Sequence, residues 1–158
     1  MYIPENDEER QYLEKYDPNK YPKPSVTVDF IVRIAHKGIL LVKRKNFPYR
    51  GKWALPGGFL DVGKENILQA AIRELKEETS LDIEPNNITL EGVYSDPQRD
   101  PRDHVVSIVY SISLPEEYAS MVKPEDDAAD ARFMSDIDMT NLAFDHSKIL
   151  EDYFNKRR

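Results

Sequence analysis

Four side chains able to do chemistry fall within six consecutive positions. They are Arg73, Glu74, Glu77 and Glu78, inside the stretch GGFLDVGKENILQAAIRELKEETSL from Gly57 to Leu81. On a helix, Glu74 and Glu78 share a face and Glu77 borders it. Three carboxylates this close repel one another and weaken an isolated helix. A hard divalent cation removes that cost, because Mg2+ takes carboxylate oxygens together with water and substrate phosphate. A charge run by itself is ordinarily a solvated helix face. What shifts the balance is the turn Pro56-Gly57-Gly58-Phe59 just ahead, which can bring a backbone carbonyl, first of all that of Gly58, to the same ion. Arg73, between the core side and the acid side, is suited to hold the glutamates in place by paired hydrogen bonds, with Glu77 as its expected partner.

Such a cluster needs a rigid element beneath it. Asn66 is a suitable N-cap, and Gln69 three residues on completes a capping box. Leu68, Ala71, Ile72 and Leu75 follow at helical spacing and form a stripe for a core. Ser80 must close the helix in a conformation that glycine adopts more cheaply. Before the helix, Ser25 to Ala35 alternates and is rich in β-branched residues, His36-Lys37-Gly38 makes a turn, and Ile39 to Lys43 reads as the hairpin partner. Trp53 to Leu55 is a short strand with Trp53 in the core. After the helix, strands are expected from Leu81, over Ile88 to Tyr94, Val105 to Leu114 and Ala129 to Met134. Asp145 to Asn155 reads as a final helix with Asp145 as cap and Ile149, Leu150, Tyr153 and Phe154 on its buried side. The order β-β-β-α-β-β-β-β-α is that of an α/β fold, an α/β/α sandwich with a mixed sheet.

The connections hold further candidates. Ser95 to His104, SDPQRDPRDH, is a stiff polar loop between two core strands. It reads as a rim in which Arg99, Arg102 and His104 offer cations and hydrogen bonds to a phosphate or ribose. The alternative is a salt-bridged connection, with Asp100 and Asp103 pairing the two arginines. Phe47, Tyr49 and Arg50 either touch a nucleotide base or cover the sheet edge. His146, in the first turn of the last helix, could approach the site through Phe144-Asp145-His146, but reads first as structural. Residues 1–24 form an arm with Tyr2, Tyr12, Tyr16 and Tyr21 among charges and prolines, set apart from a domain at 25–158. A short helix is expected over Glu5 to Tyr16, with the tyrosines packed on the domain in preference to a neighbouring subunit.

Composition narrows the class. The chain has 158 residues, enough for one domain with its own core. A net charge of -7 argues against nucleic acid as the main partner, and an acidic protein that handles phosphates needs a metal or local cations. With no cysteine there is neither disulfide nor thiolate zinc site, which fits a cytoplasmic location. No apolar run approaches a membrane span, and no signal peptide is visible.

The stretch from Gly58 resembles the Nudix box, the loop-helix signature of Nudix hydrolases. Gly58, Glu65, Arg73, Glu74, Leu75, Glu77, Glu78 and Leu81 match. There are six residues, where the family has five, between Gly58 and Glu65, and Ser80 stands in the place of a glycine. The loop at Ser95 is similar to the segment following the box in ADP-ribose pyrophosphatases, with Pro97 in the position of a downstream proline. The resemblance covers the chain from about Pro24 onward. It implies Mg2+, with Mn2+ as an alternative, held by Gly58, Glu74, Glu77 and Glu78. It also implies a further acidic ligand or base on the loop before the last strand, for which Asp127 is the choice ahead of Asp126 and Glu125. The implied reaction is hydrolysis of ADP-ribose, or a similar X-linked nucleoside diphosphate, to AMP and ribose 5-phosphate, and the implied assembly is a homodimer. Two other readings stay open: an enzyme that sanitises nucleoside triphosphates, and a module that senses ADP-ribose without cleaving it. Nudix-like regulators carry an extra DNA-binding segment, for which no room is expected after Phe154.

Overall fold

Strand β1, Ser25–Ile34, carries the longest ladder in the molecule, and the rest of the sheet is built outward from it. The computed structural model describes residues 1–158. On one edge β1 runs parallel to β6, Val105–Leu114, in unbroken register from Ser25–Val105 to Ile34–Leu114. On the other edge it has two partners. Its end, Arg33 and Ile34, pairs with the start of β2, Gly38–Arg44. Its beginning, Thr27 to Asp29, pairs with β4, Gly57–Phe59. Strand β2 leaves β1 after the hairpin and pairs with β3, Trp53–Ala54, and with β7, Ala128–Met134. Strand β5, Thr89–Tyr94, lies antiparallel to β6 at the far edge. One parallel pair among antiparallel ones makes the sheet mixed, as the element order implies.

Both faces of β1 are covered, which is why its sequence is an almost continuous apolar run. Val28, Phe30 and Val32 point to one side with Leu40 and pack on Ala70, Ala71 and Leu75 of helix α2, Ile67–Thr79. Ile31 points to the other with Ile39, Leu41 and Val109 and packs on Ile149, Leu150 and Tyr153 of helix α3, His146–Asn155. The sheet is thus enclosed between α2 and α3. By the alternation of a strand, Asp29 sits on the α3 side, the one carboxylate in that run.

Four local expectations need correction. Leu81 to Ile83 enters no ladder, although Leu81 and Ile83 are buried; the segment is extended coil that fills the α2-side core. Conversely, Gly57–Phe59 forms a strand where a loop is expected, because β1 offers it a free edge. Phe154 is partly exposed, since the inner face of α3 is completed by Tyr153. Finally, helix α1, Asp7–Lys15, buries none of its residues, and Tyr2, Tyr12, Tyr16 and Tyr21 are 54–66% exposed. The arm forms its helix but does not seat its tyrosines on the domain.

Candidate active site

The acid cluster is fixed by local devices at both ends of α2. Asn66 Oδ1 accepts the Gln69 N–H and Gln69 Oε1 accepts the Asn66 N–H, each at 2.9 Å, so the capping box is complete. At the other end Ser80 takes the left-handed conformation, φ 66°, and its N–H reaches the Lys76 carbonyl. The last carbonyls of a helix lack internal partners. Here the loop before β7 supplies them, with the Lys123 N–H on Thr79 O at 2.9 Å and the Glu125 N–H on Glu78 O at 3.0 Å. That docking brings the acidic loop Glu125–Asp127 beside α2.

Arg73 ties the glycine loop to the helix. Its Nε and Nη2 grip Glu65 at 2.9 and 2.6 Å, Nη2 also reaches Phe59 O at 3.1 Å, and Nη1 bridges Glu74 and Glu77 at 3.0 Å each. Glu65, more than the expected Glu77, is thus the main partner. The extra residue between Gly58 and Glu65 is absorbed in the loop, where Asp61 N–H bonds Glu65 Oε1.

Where β1 and β2 diverge, the fork opens a cleft of about 340 Å³. Gly58, Glu74, Glu78, Asp127, Arg99 and Arg102 all line it. Glu77 and His104 do not: Glu77 is turned to Arg73, and His104 Nε2 lies 2.9 Å from Ser95 O, closing the base of its loop. A Cβ at Gly58 would lie 2.4–2.7 Å from the Glu74 carboxylate, so a side chain there would push that carboxylate out of its place in the wall. Arg99 is buried and forms a bidentate pair with Asp145, at 2.9 and 2.6 Å, which takes Asp145 away from its expected capping role. Arg102 pairs with Asp100 at 3.0 and 2.8 Å, and its guanidinium carbon lies 5.0 Å from the Phe59 ring centre and 5.6 Å from that of Phe144. Asp103 bonds Ser25, so the loop is only in part the salt-bridged connection that its own charges suggest.

The electrostatics of the cleft are unbalanced on the α2 side. Glu78 has no ion-pair partner, and its Oε2 accepts only the Gly57 N–H, at 3.1 Å. Burial pushes its carboxyl up to about 8, with the charges of Glu74 and Asp29 adding to the rise. Burial also raises Glu74, against the pull of Arg73. No three acidic or imidazole groups stand at metal-ligand spacing, since Glu74 is turned to Arg73 and Glu78 to Gly57. The donor set nonetheless fits a hard divalent cation: two carboxylates, one of them buried without a counter-charge, beside the Gly58 backbone.

Several cleft residues escape the sequence reading. Arg44, at the end of β2, donates Nε–H to Pro48 O at 2.7 Å and has no carboxylate partner. Burial and the neighbouring Arg102 lower its pKa. Its only signal is a cation ending an apolar strand, which is common. Asn46 donates to Asp127 Oδ1 at 2.9 Å and so aims that carboxylate. Phe144, at φ 52°, and His146 enter the cleft wall from the start of α3, the approach that the sequence leaves open as the alternative to a structural His146. No local pattern places Arg44 or Asn46 beside α2.

Comparison with known proteins agrees with this architecture. The sequence matches the NUDIX domain over residues 23–153. It is 45% identical over 147 residues to an ADP-ribose pyrophosphatase of Methanocaldococcus jannaschii, covering 91% of this chain and 83% of that one. It is 32% identical over 153 residues to the ADPR-responsive transcriptional repressor NtrR of Acinetobacter baylyi, covering 92% of this chain but 59% of the repressor. Among solved structures, the NUDIX domain of Shewanella oneidensis NrtR complexed with ADP ribose superposes with a TM-score of 0.83 at 28% identity, over 95% of this chain and 99% of that one. With the loop-helix signature, the enclosed mixed sheet and the matched domain all in one chain, this protein is a member of the Nudix family.

Proposed function

We propose that the chain hydrolyses the pyrophosphate bond of ADP-ribose, taking up one water and releasing AMP and ribose 5-phosphate, with Mg2+ as its metal and Mn2+ as a substitute. The observation that carries this reading is the opposition, across one cleft, of the buried Glu78 carboxylate, which has no ion-pair partner, and the Arg44 guanidinium, which has none either. A pyrophosphate repels a nucleophile until its oxygens are neutralised. Arg44 supplies positive charge from the β2 side, and Arg102, already paired, adds a weaker field. A divalent cation, when bound, supplies the rest and lowers the pKa of water. Glu74 and Glu78 are the side chains that would hold it; the Gly58 carbonyl, expected to join them, lies in the ladder opposite Val28. Asp127, aimed by Asn46, is the base we assign to the attacking water, with a glutamate of α2 as the alternative. Glu77 contributes by holding Arg73. His104 contributes by closing the loop that carries Arg99 and Arg102.

ADP-ribose as the substrate rests on the similarity to the Methanocaldococcus pyrophosphatase. Incubation with Mg2+ and a panel of ADP-ribose, NADH, diadenosine polyphosphates and nucleoside triphosphates tests it. Equimolar AMP and ribose 5-phosphate from ADP-ribose, with slower turnover of the others, is the expected result. Preference for triphosphates would make the chain a sanitising enzyme. A second reading, a sensor that binds ADP-ribose without cleaving it, is favoured by the likeness to NtrR and to the ADP-ribose-bound NrtR domain. Tight binding with no cleavage would establish it. The intact sequence set of Glu74, Glu77 and Glu78 speaks for the enzyme.

A second copy of the chain is the partner we assign to the exposed tyrosines of the arm. The β5 edge, where Leu90 and Val93 are exposed, offers such a copy an apolar strip. Molar mass by light scattering decides between one copy and two.

A further inference from the structure

His146 is buried at the cleft wall, and the hydrolysis proposed above gives it no part. Its surroundings are ordered as a relay. Ser107 Oγ donates to Asp29 Oδ2 at 2.5 Å, and Asp29 Oδ1 lies 3.5 Å from His146 Nε2. On the far side of the ring, Nδ1 accepts the Leu55 N–H at 3.0 Å. An imidazole that accepts through Nδ1 carries its proton on Nε2, the atom facing Asp29. The next residues of that segment are held as well, Pro56 O by the Phe30 N–H at 2.8 Å and the Gly57 N–H by Glu78 at 3.1 Å. Gly57 lies opposite Asp29 in the ladder, with no space for a side chain between them.

Three buried polar groups at the floor of the cleft are costly to desolvate, and apolar side chains of similar volume would fill the space at less expense. What distinguishes this trio is where it ends. It reaches the backbone three residues before Gly58, on the segment that faces the carboxylates of α2. Ser107 is fully buried and bonds the carboxylate, not the imidazole, so the set cannot act as a nucleophile with its base.

We propose that His146 is a positioning residue: by fixing the Leu55 N–H, with Asp29 selecting the tautomer, it holds the Leu55–Gly58 segment in register against Glu74 and Glu78, the carboxylates that would hold the ion. This rests on the metal-dependent hydrolysis proposed above. The test compares His146→Phe, which keeps a flat ring but no acceptor, with His146→Asn, whose Oδ1 can stand where Nδ1 stood. Mn2+ affinity is measured on the substrate-free protein by electron paramagnetic resonance, and kcat and KM for ADP-ribose are measured in Mg2+. His146→Phe should lose about 10- to 100-fold in both Mn2+ affinity and kcat, with KM nearly unchanged, while His146→Asn stays within about threefold of wild type. His146→Leu replaces the phenylalanine variant if that variant does not fold. Wild-type Mn2+ affinity in the variants lacking the acceptor overturns the proposal, as does an equal loss in His146→Asn. A wild-type protein that neither binds Mn2+ nor cleaves ADP-ribose would instead remove the hydrolase reading itself.

Discussion

The two glycines ahead of α2 differ in what surrounds them, and that difference separates function from stability. A Cβ on Gly58 would meet the carboxylate end of Glu74, a flexible side chain that can swing aside. A Cβ on Gly57 would lie 2.1 Å from the Val28 carbonyl, which is backbone in the central strand. Gly58→Ala should therefore leave the unfolding temperature nearly unchanged while activity falls about 10- to 100-fold, the range for a displaced metal-site group. Gly57→Ala should cost about 1–3 kcal/mol of stability, as overpacking does. Thermal unfolding and turnover measured on both variants check the contrast. Arg44→Ala is expected to raise KM by about 10- to 100-fold, the worth of a hydrogen bond to a charged group, with a smaller effect on kcat. An unchanged KM would show that Arg44 does not touch the substrate.

At the scale of elements, α2 and its preceding loop form one unit through Arg73. Lysine cannot reproduce a planar fork that reaches Glu65 twice and also Phe59 O, Glu74 and Glu77. Arg73→Lys should lower stability by about 1–3 kcal/mol in denaturant titration, because the partners are only partly buried and water compensates some of the loss. Most of this unit was legible in the sequence. The Asn66–Gln69 cap and the Ser80 stop are set by neighbours within one or two turns and appear as read, while the stripe keeps Ala71, Ile72 and Leu75 and takes Ala70 in place of Leu68. Leu81 to Ile83 misled because an apolar alternating triplet looks the same whether it joins a ladder or only fills a core. Gly57–Phe59 misled in the opposite sense, because its strand exists only where β1 has a free edge. Arg44 and Asn46 reach the site across the chain from β2 and its following loop, so only the assembled fold places them beside α2, while the approach of His146 is one of two readings that a lone histidine in a first helical turn leaves open.

For the whole molecule, the fork between β1 and β2 gathers an unpaired carboxylate into a buried wall, and this ties global stability to pH and metal. The Glu78 carboxyl in the fold is raised to about 8, above its ordinary value near 4.3, so the folded state holds a proton that the unfolded chain releases. That contribution is complete below about pH 4.3 and is lost as pH rises through about 8. Metal-free protein should therefore unfold at progressively lower temperature from pH 6 to pH 9, with a slope of at most about 1.4 kcal/mol per pH unit for one proton. Carboxylates with lowered values, such as Asp29, Glu65 and Asp100, act in acid and outside that window. Saturating Mg2+, which takes the place of the proton, should flatten the dependence. Scanning calorimetry with and without Mg2+ reads both curves, and a metal-free protein that gained stability across that range would exclude a buried Glu78 without an ion-pair partner.

The most direct measurement follows ADP-ribose turnover against Mg2+ concentration in wild type and Glu78→Gln side by side. The account predicts saturable Mg2+ dependence in wild type with AMP and ribose 5-phosphate in equal amounts. In Glu78→Gln it predicts a loss of about three powers of ten or more at saturating Mg2+, with folding intact. Near wild-type turnover by Glu78→Gln, with the same Mg2+ dependence, would contradict it.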